Sequence, residues 1–191
     1  IFSVSDGELS ATAQVTLSIE AVNDAPVLAT VSDVSFDEDG SGSVNLSADD
    51  VDGDALEYAV SGGSSITADL DVYTITFTSP ADYNGSETFT VTVTDGEYIA
   101  SQVITVVVNA VNDSPVLASI GDRVIDEDGV LSILLSASDI EGDQLTYSIS
   151  EGVNVTAGLS DNELTLSPSQ DFNGSESFTV TVNDGDLEDS E

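Results

Sequence analysis

The stretch Phe89-Thr90-Val91-Thr92-Val93-Thr94-Asp95-Gly96 alternates apolar and polar side chains and ends on a turn dipeptide. A period of two puts Phe89, Val91 and Val93 on one face and the threonines on the other, the pattern of a half-buried β-strand. The same positions return as Phe178 to Gly185 with a single change, Thr94 to Asn183. Working outward, Asp6-Gly7, Asp95-Gly96 and Asp184-Gly185 stand 89 residues apart, and so do Asp37-Glu38-Asp39-Gly40 and Asp126-Glu127-Asp128-Gly129. Residues 24–102 align on 113–191 without a gap, with 38 of 79 positions identical. A fixed period over that length identifies tandem copies of one unit. The chain therefore reads as the C-terminal strands of one repeat (1–23), a complete repeat (24–112) and a repeat lacking its last strand (113–191), a window on a longer array.

Within a repeat every periodic segment has the strand period. Val15, Leu17 and Ile19 alternate with polar residues and read as sandwich core. Val44/Leu46, Leu56/Tyr58/Val60, Ile66 and Tyr73/Ile75/Phe77 supply further short runs, separated by Gly53-Asp54, Gly62-Gly63 and Asn84-Gly85. No segment sustains a helical period. About seven short strands per repeat predict an all-β chain of tandem immunoglobulin-like Greek-key sandwiches. The last strand runs directly into Asn23-Asp24-Ala25-Pro26 or Asn112-Asp113-Ser114-Pro115, where proline holds its predecessor extended.

Composition narrows the chemistry. The chain has 37 acidic residues, one basic residue and a formal net charge of −36. Its acids cannot be paired internally, so they are either solvated or neutralised by dissolved cations. Nucleic acid and anionic membrane surfaces need lysine and arginine and are excluded as partners. No cysteine or histidine is present, which removes disulfides, zinc-thiolate sites and the commonest general base. The longest apolar run, Val106-Val107-Val108, is far too short for membrane insertion.

The order of motifs resembles cadherin repeats, most closely the bacterial cadherin-like tandem repeats of large surface adhesins. Glu20, Asn23 and Asp24 ahead of Pro26 stand where that family's linker motif has its acids and amide, as do Asn109, Asn112 and Asp113 ahead of Pro115. Asp50-Val51-Asp52 and Asp139-Ile140-Glu141 are similar to its Asp-x-Asp, Glu38 to its early glutamate, Asp82-Tyr83-Asn84 to its Asp-Arg-Glu, and Asp95 and Asp184 to its late aspartate. The resemblance implies a cadherin-like sandwich with calcium held where repeats meet. One set would be Glu20, Asn23, Asp24, Asp50, Asp52 and Asp95. The other would be Glu38, Asp82, Asn84, Asn109, Asn112, Asp113, Asp139, Glu141 and Asp184, with Glu127, Asp171 and Asn173 left for a further junction. Asn109 for an acid, Asn84 for glutamate and Glu141 for aspartate are departures that bear on ion number and affinity. The residue chemistry agrees independently, because Ca2+ takes six to eight oxygens from carboxylates, amides and carbonyls. Read singly, each acidic stretch is also an ordinary solvated turn.

The expected function is a calcium-stiffened spacer in a secreted or cell-surface adhesin, with neighbouring repeats of the same chain as its partners. Two alternatives accompany it. One is an adhesion module binding itself or a glycan, through calcium or through Tyr73, Tyr83 and Tyr98; the other is a filament subunit that donates a strand head to tail. An enzyme is not expected. Only a carboxylate pair could act without His, Cys or Lys, and the prominent acids recur at the repeat period, as structural sites do.

Overall fold

A computed structural model describes all 191 residues as strands, turns and loops, with no helix. The chain divides into two compact units. The first comprises Ile1–Phe36, Gly40–Ser79 and Ser86–Val107; the second comprises Asp37–Asp39, Pro80–Gly85 and Val108–Glu191.

In the first repeat the alternating segments form two sheets. One orders its strands as Val34–Asp37, Ile99–Asn109, Gly85–Thr94 and Glu57–Gly62; the other as Ser41–Asn45, Thr74–Thr78 and Thr67–Asp71. A short pairing joins Val27–Leu28 to Ala48–Asp49. Each sheet joins one consecutive hairpin, Gly85–Thr94 with Ile99–Asn109 or Thr67–Asp71 with Thr74–Thr78, to strands from distant parts of the sequence, the Greek-key property of a sandwich. Asp33 accepts the Thr105 N–H, while the Glu38 N–H donates to Asn109 and Glu38 accepts the Val111 N–H. Contacts that advance together show that Val34–Asp37 runs alongside Ile99–Asn109 in the same direction.

The opening stretch behaves as its period requires. Phe89, Val91 and Val93 are at most 1% exposed, and Thr90, Thr92 and Thr94 lie on the outer face. The Phe89 ring meets Phe77 from the other sheet at 5.0 Å between centroids, edge to face, so the two inner faces interdigitate. Ile75, Ile104 and Val106 complete this core. Gly63 shows how close the packing is: a Cβ there would stand 2.5 Å from the Phe89 ring, and its φ is +73°.

The second unit repeats the plan with fewer strands. Leu131–Leu134, Glu163–Pro168 and Val155–Ser160 form one sheet, and Thr146–Ile149, Val180–Asn183 and Glu188–Ser190 the other. Leu117, Leu135, Leu164, Val180 and Val182 are its buried core. Residues 123–126, counterparts of Val34–Asp37, form no strand, and Val124 is 94% exposed. In the first repeat that strand pairs with Ile99–Asn109, whose counterpart here, Glu188–Ser190, pairs with Val180–Asn183.

Val15, Leu17 and Ile19 are 67%, 82% and 89% exposed and belong to no strand, whereas their counterparts in the complete repeat, Ile104, Val106 and Val108, are at most 2% exposed. Alternation buries a face only where a second layer covers it. The nearby hairpin of Phe2–Ser5 and Ser10–Ala13 is itself exposed throughout and has no sheet packed on it.

Candidate metal centre

Two acidic clusters gather at loop ends, one in each unit. In the first unit Asp50 follows the short strand Ala48–Asp49, and its Oδ1 accepts the N–H groups of Asp52, Gly53 and Asp54 at 2.9, 3.0 and 3.3 Å. This is an Asx-type turn, in which the first aspartate organises the loop that carries the others. The carboxylates of Asp50, Asp52 and Asp54 come within 4.8 Å of one another. Asp50 Oδ2 is buried and has no hydrogen-bond partner. The Asp24 N–H donates to Asp52 Oδ2 at 2.8 Å, fixing the linker against this loop. Asn23 Nδ2 donates to Asp95 Oδ2 at 3.0 Å, and Asp95 Oδ1 takes the N–H groups of Glu97 and Tyr98. The Tyr98 N–H is the first cause of a lowered Asp95 pKa. Both Asp95 oxygens are therefore engaged, and Asp95 orients Asn23. Glu20 is exposed and belongs to neither cluster.

The cluster in the second unit is richer. Asp39, Asp82 and Asp113 bring their carboxylates within 4.8 Å of one another. Asp39 and Asp82 sit at φ of 62° and 56°, the left-handed region that non-glycine residues rarely occupy. Such strain of roughly 1–3 kcal/mol per residue is held by its surroundings and concentrates at functional sites. Glu38 is only 5% exposed; its Oε1 accepts the Val111 N–H at 2.6 Å, and its Oε2 has no partner. Asp113 adds a buried, unpartnered Oδ2; Asp139, on the loop that carries Glu141, has another, and its Oδ1 accepts the Asp143 N–H at 2.9 Å. The Asp113 N–H reaches Glu141 Oε2 at 3.3 Å. Burial, then the charges of Glu141, Asp82, Asp39 and Glu38, push the Asp113 carboxyl above its ordinary value.

The remaining expected ligands serve as supports or stand apart. Asn112 Nδ2 donates to Asp184 Oδ2 at 2.9 Å, and Asp184 Oδ1 takes the Asp186 and Leu187 N–H groups, the latter being the first cause of its lowered pKa. Asn109 Nδ2 donates to Asp37 Oδ1 at 3.1 Å, and Asn84 is exposed. Asp54 in the first cluster and Asp39 in the second are the candidates left out of the expected ligand sets. For Asp39 the signal was present, an aspartate ahead of glycine that recurs as Asp128, whose φ is 61°. Asp128 Oδ1 lies 3.4 Å from the Asp171 N–H, so the second repeat carries the same pair of left-handed aspartates.

Glu87 and Glu176 were also missed. Glu87 accepts the N–H groups of Ser64, Ser65 and Ile66 and the Ser64 hydroxyl at 2.6–3.1 Å. The Ser64 hydroxyl first, then the backbone donors, lower its pKa to about 2. Glu176 does the same for Val153, Asn154 and Val155. The glutamate of the repeated Asn-Gly-Ser-Glu motif is thus a loop clamp.

Four of the five buried side-chain atoms that lack a partner are carboxylate oxygens of Glu38, Asp50, Asp113 and Asp139. Leaving a charged oxygen buried and unpaired is costly. The only basic residue, Arg123, donates to the Asp122 carbonyl and is no counter-charge for either cluster. An all-oxygen anionic donor set fits a hard divalent cation and suits soft metals poorly.

Comparison with known proteins places this arrangement in a family. The chain matches the bacterial Ig domain family over residues 23–108 and again over 112–191, and it belongs to that family as two tandem copies. Among solved structures, the first two cadherin domains of human protocadherin-24 superpose with a TM-score of 0.50 at 18% identity, covering 88% of this chain and 94% of that one. That likeness shows an immunoglobulin/cadherin-like fold. An endo-fucoidan hydrolase of glycoside hydrolase family 107 shares 22% identity at a TM-score of 0.37, covering 86% of this chain and 27% of that one. A curated relative, chitinase A of Pseudoalteromonas piscicida, is 28% identical over 171 residues, which span 87% of this chain and 21% of the chitinase. No helix is long and apolar enough to cross a membrane.

Proposed function

We propose that these tandem domains are extracellular spacers stiffened by calcium, in a long surface or secreted protein. The observation that carries this reading is the buried, unpartnered Asp113 Oδ2 within the Asp39–Asp82–Asp113 cluster, with the likewise buried and half-unpartnered Glu38 carboxylate acting on it. Segments Asp37–Asp39 and Pro80–Gly85 belong to the first repeat by sequence and to the second unit by packing. A cation held by Asp39, Asp82, Asp113 and Glu38 would tie the two repeats' sequences together and cancel the repulsion among their acids. Asp184 and Asp95 would orient the amides of Asn112 and Asn23, and Glu141 would fix Asp113. When bound, calcium supplies charge neutralisation and a multidentate link; no catalysis is assigned to these carboxylates.

Extracellular modules hold calcium with Kd of about 10⁻⁴–10⁻³ M. At a hundred times Kd, a ligand that binds only the folded state adds about 2.7 kcal/mol of stability. Calorimetry of the chain in EDTA, in rising calcium and in magnesium tests this. A calcium-selective, concentration-dependent rise in melting temperature is expected. A flat response would reduce the clusters to solvated turns and end the spacer mechanism.

A further inference from the structure

In the first unit the Tyr73 ring stands edge-on against Tyr58, with centroids 5.6 Å apart and planes at 88°. The counterparts in the second unit are Asn162 and Tyr147. Asn162 brings no ring; its Nδ2 donates to the Leu135 carbonyl at 2.9 Å. A groove of about 500 Å³ opens beside the half-buried Tyr147, lined also by Gln144, Leu145, Thr146, Leu159, Asp161 and Asn162.

The two repeats serve as each other's control. Leu145, Tyr147 and Leu159 are identical to Leu56, Tyr58 and Leu70, so the apolar part of the lining is common to both. The other four lining positions all differ: Gln144, Thr146, Asp161 and Asn162 replace Ala55, Glu57, Val72 and Tyr73. Each change installs an amide, a hydroxyl or a carboxylate, and one of them removes the ring that covers the tyrosine in the first repeat. The outcome is an aromatic surface flanked by planar hydrogen-bonding groups, within the roughly 300–1,000 Å³ typical of small-molecule sites.

We propose that this groove is a saccharide site that seats one pyranose of an uncharged polysaccharide. A pyranose presents a C–H face that packs on an aromatic ring in place of the missing Tyr73 counterpart. Its vicinal hydroxyls both donate and accept, matching Asp161 as acceptor and the amides of Gln144 and Asn162 as either. The net charge of −36 selects against sulfated and uronic-acid polymers. None of the lining residues belongs to the acidic clusters, so the site stands independently of the calcium reading.

The test is amide chemical-shift titration of the whole labelled chain, in EDTA and again in calcium. The probes are the β-1,4-linked hexaoses of glucose, mannose and N-acetylglucosamine, with a sulfated fucan as the charged comparison. At least one neutral hexaose is expected to shift Thr146, Tyr147, Asp161 and Asn162, while the sulfated polymer leaves them unmoved. Asn162→Tyr restores the first-repeat pairing in a fold already shown to accommodate it, and it should weaken binding at least ~10-fold. Shifts absent with all three neutral hexaoses at ~10 mM, where even millimolar affinity would register, would overturn the assignment. So would an Asn162→Tyr variant that binds as tightly as the parent. A failed calcium response on the same samples would count against the spacer reading and leave this groove untouched.

Discussion

Replacing Glu87 with glutamine tests whether one carboxylate clamps the loop after Glu57–Gly62. Glu87 Oε2 accepts the Ser64 and Ile66 N–H groups at 2.7 and 3.1 Å, while Oε1 accepts the Ser64 hydroxyl and the Ser65 N–H at 2.6 and 2.9 Å. Glutamine keeps one acceptor oxygen and turns the other into a donor. Whichever way the amide lies, at least one backbone N–H then faces another donor, and the remaining bonds lose their charge assistance. Hydrogen bonds to charged groups are worth about 1.5–3 kcal/mol and neutral ones about 0.5–1.5, so at this part-exposed site the change should cost roughly 2 kcal/mol. For a domain of this size that is a fall of roughly 8–16 °C in Tm.

The pH dependence supplies a second readout. The Glu87 carboxyl lies at about 2 in the folded protein against an ordinary 4.5, lowered first by the Ser64 hydroxyl. A group whose folded value is depressed stabilises fully above its ordinary value and loses that contribution as pH falls through the folded one. The gap between parent and Glu87→Gln should therefore be constant at neutral pH and close between 4.5 and about 2. Circular dichroism melts across that range measure it. A variant melting within ~2 °C of the parent at pH 7 would refute the clamp, as would a gap that ignores acidification.

Two further perturbations follow from the geometry. Asp113→Asn should raise the melting temperature in EDTA, because Glu141, Asp82, Asp39 and Glu38 then repel it no longer. In calcium the same variant should bind roughly tenfold more weakly, so the substitution changes sign with the cation; paired melts in the two conditions show it. Phe77→Ala removes a fully buried ring packed on Phe89 and should cost about 3–5 kcal/mol. Leu134→Ala, at a position 76% exposed, should stay within about 0.5 kcal/mol; denaturant unfolding separates the two.

The sequence by itself determined the repeat, the strand character and the kind of donor atom the loops offer. A period of two at Phe89, Val91 and Val93 leaves one geometry in which apolar side chains share a face, and an 89-residue recurrence copies that geometry. An almost purely anionic set of charged groups likewise restricts the chemistry to oxygen donors for hard cations. What tertiary structure decided is which acids of a motif gather and which are taken up by other groups. Asp37, Glu38 and Asp39 are consecutive, yet Asp37 accepts the Asn109 amide, Glu38 is buried on the Val111 N–H, and Asp39 joins Asp82 and Asp113. The supporting roles of Asp184 and Glu87 were illegible for the same reason, whereas Asp39 carried a signal, an aspartate ahead of glycine repeated as Asp128. A carboxylate's function depends on whether its oxygens meet backbone donors, an amide or other carboxylates, and chain folding across 20 to 70 residues sets those partners.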